Sequence, residues 1–123
     1  MEEKRTQLTL TREVTPDMTA KAIGSAGANI LSTPNMLALM EETALTLARE
    51  YLDEGMTTVG AEALVRHLAP TPVGMKVSAT ATLRSIERRK MWFDIEVFDE
   101  NGKCGEGNHL RIMVADKDRS KKD

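Results

Sequence analysis

The chain has 123 residues, enough for one ordinary domain with its own core and too few for two. Its 17 basic and 19 acidic residues leave a net charge of −2, without the excess of cations that nonspecific nucleic-acid binding needs. The single cysteine, Cys104, excludes an intrachain disulfide and a zinc site of paired thiolates, and no apolar run approaches the roughly 18 residues that span a membrane.

In chain order, Met1 to Arg5 is charged and leads into polar residues with no apolar h-region, so no signal peptide is expected. With a lone cysteine, this points to a reducing, cytoplasmic setting. Gln7 to Val14 alternates weakly, with Leu8 and Leu10 on one side, and predicts a first strand. Thr15-Pro16-Asp17 breaks it. Met18 to Leu31 is rich in Ala and Gly without a period, and reads as a loop with at most a helical turn, suited to a lid. Thr33-Pro34 then opens the clearest helix, with Thr33 as N-cap and Pro34 at the first helical position. The helix should run to about Leu52, with Gly55 just beyond. At about 100° per residue, Leu37, Met40, Ala44, Leu45, Leu47, Ala48, Tyr51 and Leu52 share an apolar arc. Glu42, Thr46, Arg49 and Glu50 lie opposite. Glu41 falls inside the apolar arc.

Four strands should follow. Thr57 to Leu68 alternates plausibly before Pro70, Pro72 and Gly74. Lys76 to Ile86 turns Val77, Ala79, Ala81 and Leu83 one way; Met91 to Phe98 does the same with Met91, Phe93, Ile95 and Val97. Arg88-Arg89-Lys90 is a charged turn between them, and Asn101-Gly102 signals a hairpin into Lys103 to Val114. Asp116 to Asp123 is almost wholly charged and reads as a frayed tail. A strand, a long helix and an antiparallel meander make a single α+β domain over residues 1–123, the helix covering one face of the sheet.

Four polar residues stand out. A carboxylate in an apolar arc, such as Glu41, must be paired, hydrogen-bonded or shifted in pKa; a solvated arc edge or a structural ion pair would also account for it. Thr33 is explained by capping alone, yet a helix N-terminus also favours negative charge. His67 precedes a turn at a strand end, and an imidazole pKa near 6.5 suits proton transfer at neutral pH. His109 shares a strand face with Arg111 and Met113, either an exposed polar face or the lining of a site. Cys104 reads as a small strand residue, and Gly24-Ser25-Ala26-Gly27 lacks the Lys-Ser/Thr of a phosphate loop.

Three segments resemble hot-dog thioesterases of the fluoroacetyl-CoA thioesterase type: Thr33 to Glu41, opening the helix; Val65 to Gly74, with a His, a Thr-Pro turn and a Gly; and Gly105-Glu106-Gly107-Asn108-His109-Leu110-Arg111, a Gly-x-Gly-x-His-x-Arg pattern. The resemblance spans Leu8 to Val114. It implies a hot-dog fold, an antiparallel sheet wrapped around the helix, paired into a homodimer, with a dimer of dimers as the larger alternative. It implies hydrolysis of acyl-CoA thioesters with no cofactor beyond the CoA of the substrate and no metal. Catalytic roles carry over to Thr33, Glu41 and His67, and substrate contact to Gly60 and Arg111, with His109 beside them. Arg84, Arg88, Arg89 and Lys90 could meet CoA phosphates, although a charged turn is usually only solvated. Where the specialised fluoroacetyl enzyme has a bulky aromatic segment before the helix, Met18 to Leu31 has no aromatic residue. The alternatives are a non-catalytic acyl-CoA binding module on the same fold, a hydratase or dehydratase, and a structural dimer without a small ligand.

Overall fold

The computed structural model describes residues 4–116, so the charged tail beyond Asp116 and the first three residues lie outside the described part. Five strands and one long helix follow in the order β1 (Gln7–Glu13), α1 (Thr33–Ala48), β2 (Met56–His67), β3 (Lys76–Glu87), β4 (Lys90–Asp99) and β5 (Gly102–Ala115). All neighbouring strands are antiparallel, in the spatial order β1-β3-β4-β5-β2. The expected strands are all present, most with ends within a residue or two of the sequence reading. Among the described residues no helix is long and apolar enough to cross a membrane.

The inner face of the sheet follows from the two-residue period of a strand. Val77, Ala79 and Ala81 of β3 and Met91, Phe93, Ile95 and Val97 of β4 are buried, and α1 lies over them. The helix differs from expectation in three ways. Its cap is Ser32, whose Oγ accepts from Asn35 N at 3.1 Å; Thr33 is already helical. The helix ends at Ala48 and tightens into a 3₁₀ turn, Arg49–Tyr51, before Leu52 turns extended, so it stops short of Leu52. Its buried face is Met36, Leu39, Met40, Thr43, Ala44, Leu47 and Ala48. Leu37, Glu41 and Leu45, spaced four apart, form a half-buried flank instead. Glu41 therefore borders the core without sitting in it, its side chain 43% accessible.

Moving the cap to Ser32 has a measurable consequence. Ser32→Ala should cost about 1 kcal/mol of stability by leaving the Asn35 N–H without its acceptor, which thermal or urea denaturation would register.

The stretch between β1 and α1 is pinned rather than free. A short 3₁₀ turn, Pro16–Met18, precedes a bridge between Thr19 and Leu31, and Ile30 bridges to Pro72 just beyond β2. At the β4–β5 hairpin the left-handed position is Gly102, with φ +130°, and Asn101 N donates to Asp99 Oδ1 at 2.8 Å. Arg88 in the β3–β4 turn also has positive φ, at 57°.

Candidate active site

Strand β5 explains its own motif. Gly105, Gly107, His109 and Arg111 alternate with outward residues, and their partners on β4 are the inward Val97, Ile95, Phe93 and Met91. All four motif positions thus lie under the helix. The two glycines make room for it. A Cβ on Gly105 would sit 2.5 Å from Met36 Sδ, and one on Gly107 would run into the Leu64 carbonyl and come within 2.9 Å of Met40 Cε. Where the helix has passed these glycines, the same face carries the imidazole and the guanidinium.

Strand β2 would not ordinarily present both Gly60 and His67 inward, because seven positions separate them and a regular strand reverses face at each step. The pairing with β5 shifts between Gly60 and Glu62, leaving Ala61 as an extra residue. Before this bulge Gly60 lies opposite Arg111; after it His67 lies opposite Gly105, again an inward position. A one-residue irregularity therefore sets both on the helix side.

The candidate residues fall into two groups within one chain. In the first, Thr33 Oγ1 and His67 Nδ1 are 2.8 Å apart at the start of α1. Capping by Ser32 frees the Thr33 hydroxyl for this contact. His67 Nε2 is buried without a hydrogen-bond partner. Burial holds the His67 imidazole below its usual pKa, with the Ala69 backbone acting in the opposite sense. The Thr33 hydroxyl can donate or accept, so either neutral tautomer of His67 makes this contact.

The second group lies eight residues further along the helix, about 12 Å of rise. A Cβ on Gly60 would be 3.0 Å from Glu41 Oε2, 3.2 Å from His109 Cε1 and 3.6 Å from Arg111 Nη1. The missing side chain thus lets a carboxylate, an imidazole edge and a guanidinium close on the Gly60 backbone. His109 Nε2 stands 4.0 Å from Glu41 Oε2. This is not an ion pair. His109 Nδ1 lies 2.8 Å from the Glu62 carbonyl, which can only accept, so Nδ1 carries the proton. Nε2 then offers its lone pair to Arg111 Nη1 at 3.0 Å. Burial above all, and the Arg111 charge, lower the His109 pKa, and the Glu62 carbonyl and Glu41 offset them only in part. Arg111 Nε and Nη2 donate to Thr58 Oγ1 at 2.7 Å and to the Thr58 carbonyl at 3.0 Å. Sequence reasoning missed Thr58; a β-branched polar residue in a strand carries no signal of such a role.

The two histidines predict an acid-labile fold. Each has a folded pKa below its unfolded value near 6.5, so the unfolded chain binds more protons as pH falls. Their contribution is fully present above about pH 6.5 and is lost as pH drops towards the folded pKa values. Denaturation midpoints should fall from pH 7 to pH 5, and His109→Gln should flatten that slope.

Among the described residues no group of three or more His, Cys, Asp or Glu side chains could hold a metal ion. Cys104 is buried, and burial raises its pKa, consistent with a packing role. Of the basic residues considered for phosphates, Arg84 is paired with Asp94 on the outer sheet face, while Arg88, Arg89 and Lys90 rim a shallow groove beside Ile112.

A sheet curled around one long helix in this strand order is a hot-dog fold. A crystal structure of a hot-dog-like protein from Thermanaerovibrio acidaminovorans superimposes with a TM-score of 0.84 at 25% identity, covering 95% of this chain and 87% of that one. Residues 14–117 match the fluoroacetyl-CoA-specific thioesterase family (FlK), and the chain belongs to that family. The fluoroacetyl-CoA thioesterase of Streptantibioticus cattleyicolor is 33% identical over 85 residues, which are 69% of this chain and 61% of that relative. The alignment thus spans less than two thirds of the relative's length. A crystal structure of a phenylalanine-to-alanine mutant of the fluoroacetyl-CoA-specific thioesterase gives a TM-score of 0.86 at 26% identity, covering 99% of this chain and 96% of that one. Another, in complex with fluoroacetate and CoA, gives 0.84 at 27% identity, covering 94% and 96%.

Proposed function

We propose that the protein is an acyl-CoA thioesterase in which Thr33, Glu41 and His67 form one catalytic cleft and Gly60, Arg111 and His109 build its acyl end. The observation that carries this reading is the convergence of the Glu41 carboxylate and the Arg111 guanidinium on the Gly60 backbone. A carbonyl carbon placed there would meet a base on one side and a cation for its oxygen on the other. Family membership and the complexes of its relatives with CoA and with acetyl-CoA support a CoA thioester as substrate.

In the proposed reaction, either water adds to the thioester carbon with Glu41 as base, or the Glu41 carboxylate adds to it and expels the thiolate, and water then hydrolyses the mixed anhydride to the free acid and Glu41. The carbonyl π pair moves onto oxygen and returns as the C–S bond breaks. The oxygen of water stays with the acid, and one of its protons reaches the departing thiolate. The Thr33–His67 pair orients the carbonyl or water and relays that proton. These groups suffice without a resident cofactor.

The two groups meet in a homodimer. Strand β2 is hydrogen-bonded to β5 on one edge and runs for 12 residues with Val59 and Leu64 exposed, an edge that soluble proteins cover. Antiparallel pairing of two copies along this edge would set the Gly60 end of one beside the Thr33–His67 end of the other. A lone buried cysteine suits a reducing cytoplasm. Since Met18 to Leu31 contains no aromatic residue, the aromatic segment of the specialised fluoroacetyl enzyme has no counterpart there, and the reading does not extend to fluoroacetyl specificity.

Thiol release from a panel of acyl-CoA esters, with wild type and Glu41→Gln in parallel, tests the reading. Turnover by wild type alone supports it. Saturable binding without turnover would make the protein a binding module instead.

A further inference from the structure

Arg111 is 6% exposed, and the groups hydrogen-bonded to its guanidinium are uncharged. Nε meets the Thr58 hydroxyl at 2.7 Å, Nη2 the Thr58 carbonyl at 3.0 Å, and Nη1 the His109 Nε2 at 3.0 Å. Such burial is costly for a cation whose partners do not neutralise it, and burial does lower the Arg111 pKa, with Glu41 acting against that. A structural role would be met more cheaply by an apolar side chain or by an arginine paired to a carboxylate. Here three contacts fix the plane of the fork while leaving its charge unspent.

We propose that Thr58 and His109 are positioning residues, a neutral clamp that aims the Arg111 guanidinium at the acyl carbonyl bound over Gly60. The proposal rests on the thioesterase reading and divides its acyl end. Arg111 meets the charge that develops on the carbonyl oxygen, whereas His109 neither binds substrate nor moves a proton. The clamp is read from bond directions. Glu62 O accepts from His109 Nδ1–H at 2.8 Å, which fixes the tautomer. The remaining lone pair on Nε2 can then accept from Arg111 only while the ring is neutral. The charged groups facing that ring are Arg111 from its own strand and Glu41 from α1, while Glu62 of β2 offers only its backbone carbonyl; Arg49, beside Arg111, adds a further positive charge. Burial first, and the Arg111 charge with it, outweigh the Glu62 carbonyl and Glu41 and shift the ring towards its neutral form. Thr58 supplies two of the three contacts because β2 is still in its first register there, before the Ala61 bulge, so that its side chain and Gly60 share a face.

Two measurements separate the clamp from the reading on which it rests. Nitrogen-15 spectra of the two imidazoles in the wild-type protein should show His109 protonated at Nδ1 only at neutral pH and titrating below a free imidazole, whether or not the protein turns over a CoA ester. A His109 that titrates at or above the free-imidazole range, or that carries its proton on Nε2, would overturn the proposal even in a competent thioesterase. For the second measurement, on acyl-CoA turnover, Thr58→Val removes the hydroxyl with little change of shape. It should lower kcat about 10- to 100-fold with KM nearly unchanged, and Thr58→Ser should restore most of the loss. Arg111→Lys should not recover activity, since an ammonium cannot take the three-point fork. Unchanged kcat in a folded Thr58→Val protein would sink the clamp. Absence of turnover in wild type would instead remove the thioesterase reading and leave the spectra to decide the tautomer.

Discussion

Gly107→Ala should abolish the native fold or lower its stability by at least about 3 kcal/mol, near the upper end for single substitutions. The reason is local. A Cβ at Gly107 collides with the Leu64 carbonyl of β2 and lies 2.9 Å from Met40 Cε on α1. The carbonyl belongs to the backbone that pairs with β5, with Val65 opposite Gly107 and Leu64 opposite Asn108. It cannot swing away as a side-chain end can, so the strands must part or slip. Gly105→Ala provides the contrast. Its Cβ meets Met36 Sδ at 2.5 Å and Cε at 2.9 Å, the far end of a flexible side chain, and the nearest backbone atom is Arg66 O at 3.4 Å. Repacking the thioether should hold that cost to roughly 1–3 kcal/mol. Denaturant titrations of the two variants test the difference. Equal losses would mean that β2 yields as easily as a methionine, and that the closeness of β2 to β5 is not what the glycine protects.

The same comparison shows how much was legible in the sequence. Strict alternation in Lys76–Glu87 and Lys90–Asp99 announced the inner face of the sheet, because buried residues on one side of a strand leave a period of two. The helix announced its existence and its start, but not its orientation. The angular arc is broad enough to admit Leu37 and Leu45, and only packing against the sheet selects Met36, Leu39 and Thr43 instead. On the helical arc Glu41 stands among apolar residues; in the structure it lies at the edge of the core, facing Gly60. The sequence reading puts the cap at Thr33; the structure puts it at Ser32, and that one-residue difference leaves the Thr33 hydroxyl free. The Ala61 bulge has no local signature at all. It arises from the register with β5, so the shared face of Gly60 and His67 could not be read from β2 alone. The roles of the motif glycines were likewise hidden, since close approach is a property of two elements together.

Glu41→Gln should lower kcat for acyl-CoA hydrolysis by about 10²- to 10⁴-fold, the range for losing a general base, with larger losses if Glu41 is the nucleophile. Stability should stay within about 0.5 kcal/mol of wild type. Both halves follow from the same geometry. The side chain is 43% accessible, and the nearest recorded polar contact, His109 Nε2 at 4.0 Å, is one whose lone pair is already turned to Arg111. Glutamine keeps the volume and the flank between Leu37 and Leu45 but cannot accept a proton or attack a carbonyl. A variant that is folded yet inert would therefore isolate the chemical role of the carboxylate from any role in packing. A stability loss of several kcal/mol would point the other way, to Glu41 as the counter-charge that makes a buried Arg111 tolerable. In that case its place beside Gly60 would serve the fold, and the acyl group would have to be sought nearer the Thr33–His67 pair. Measuring turnover and denaturation on the same preparation distinguishes the two, because a base at the edge of the core affects only the first and a structural counter-charge affects both.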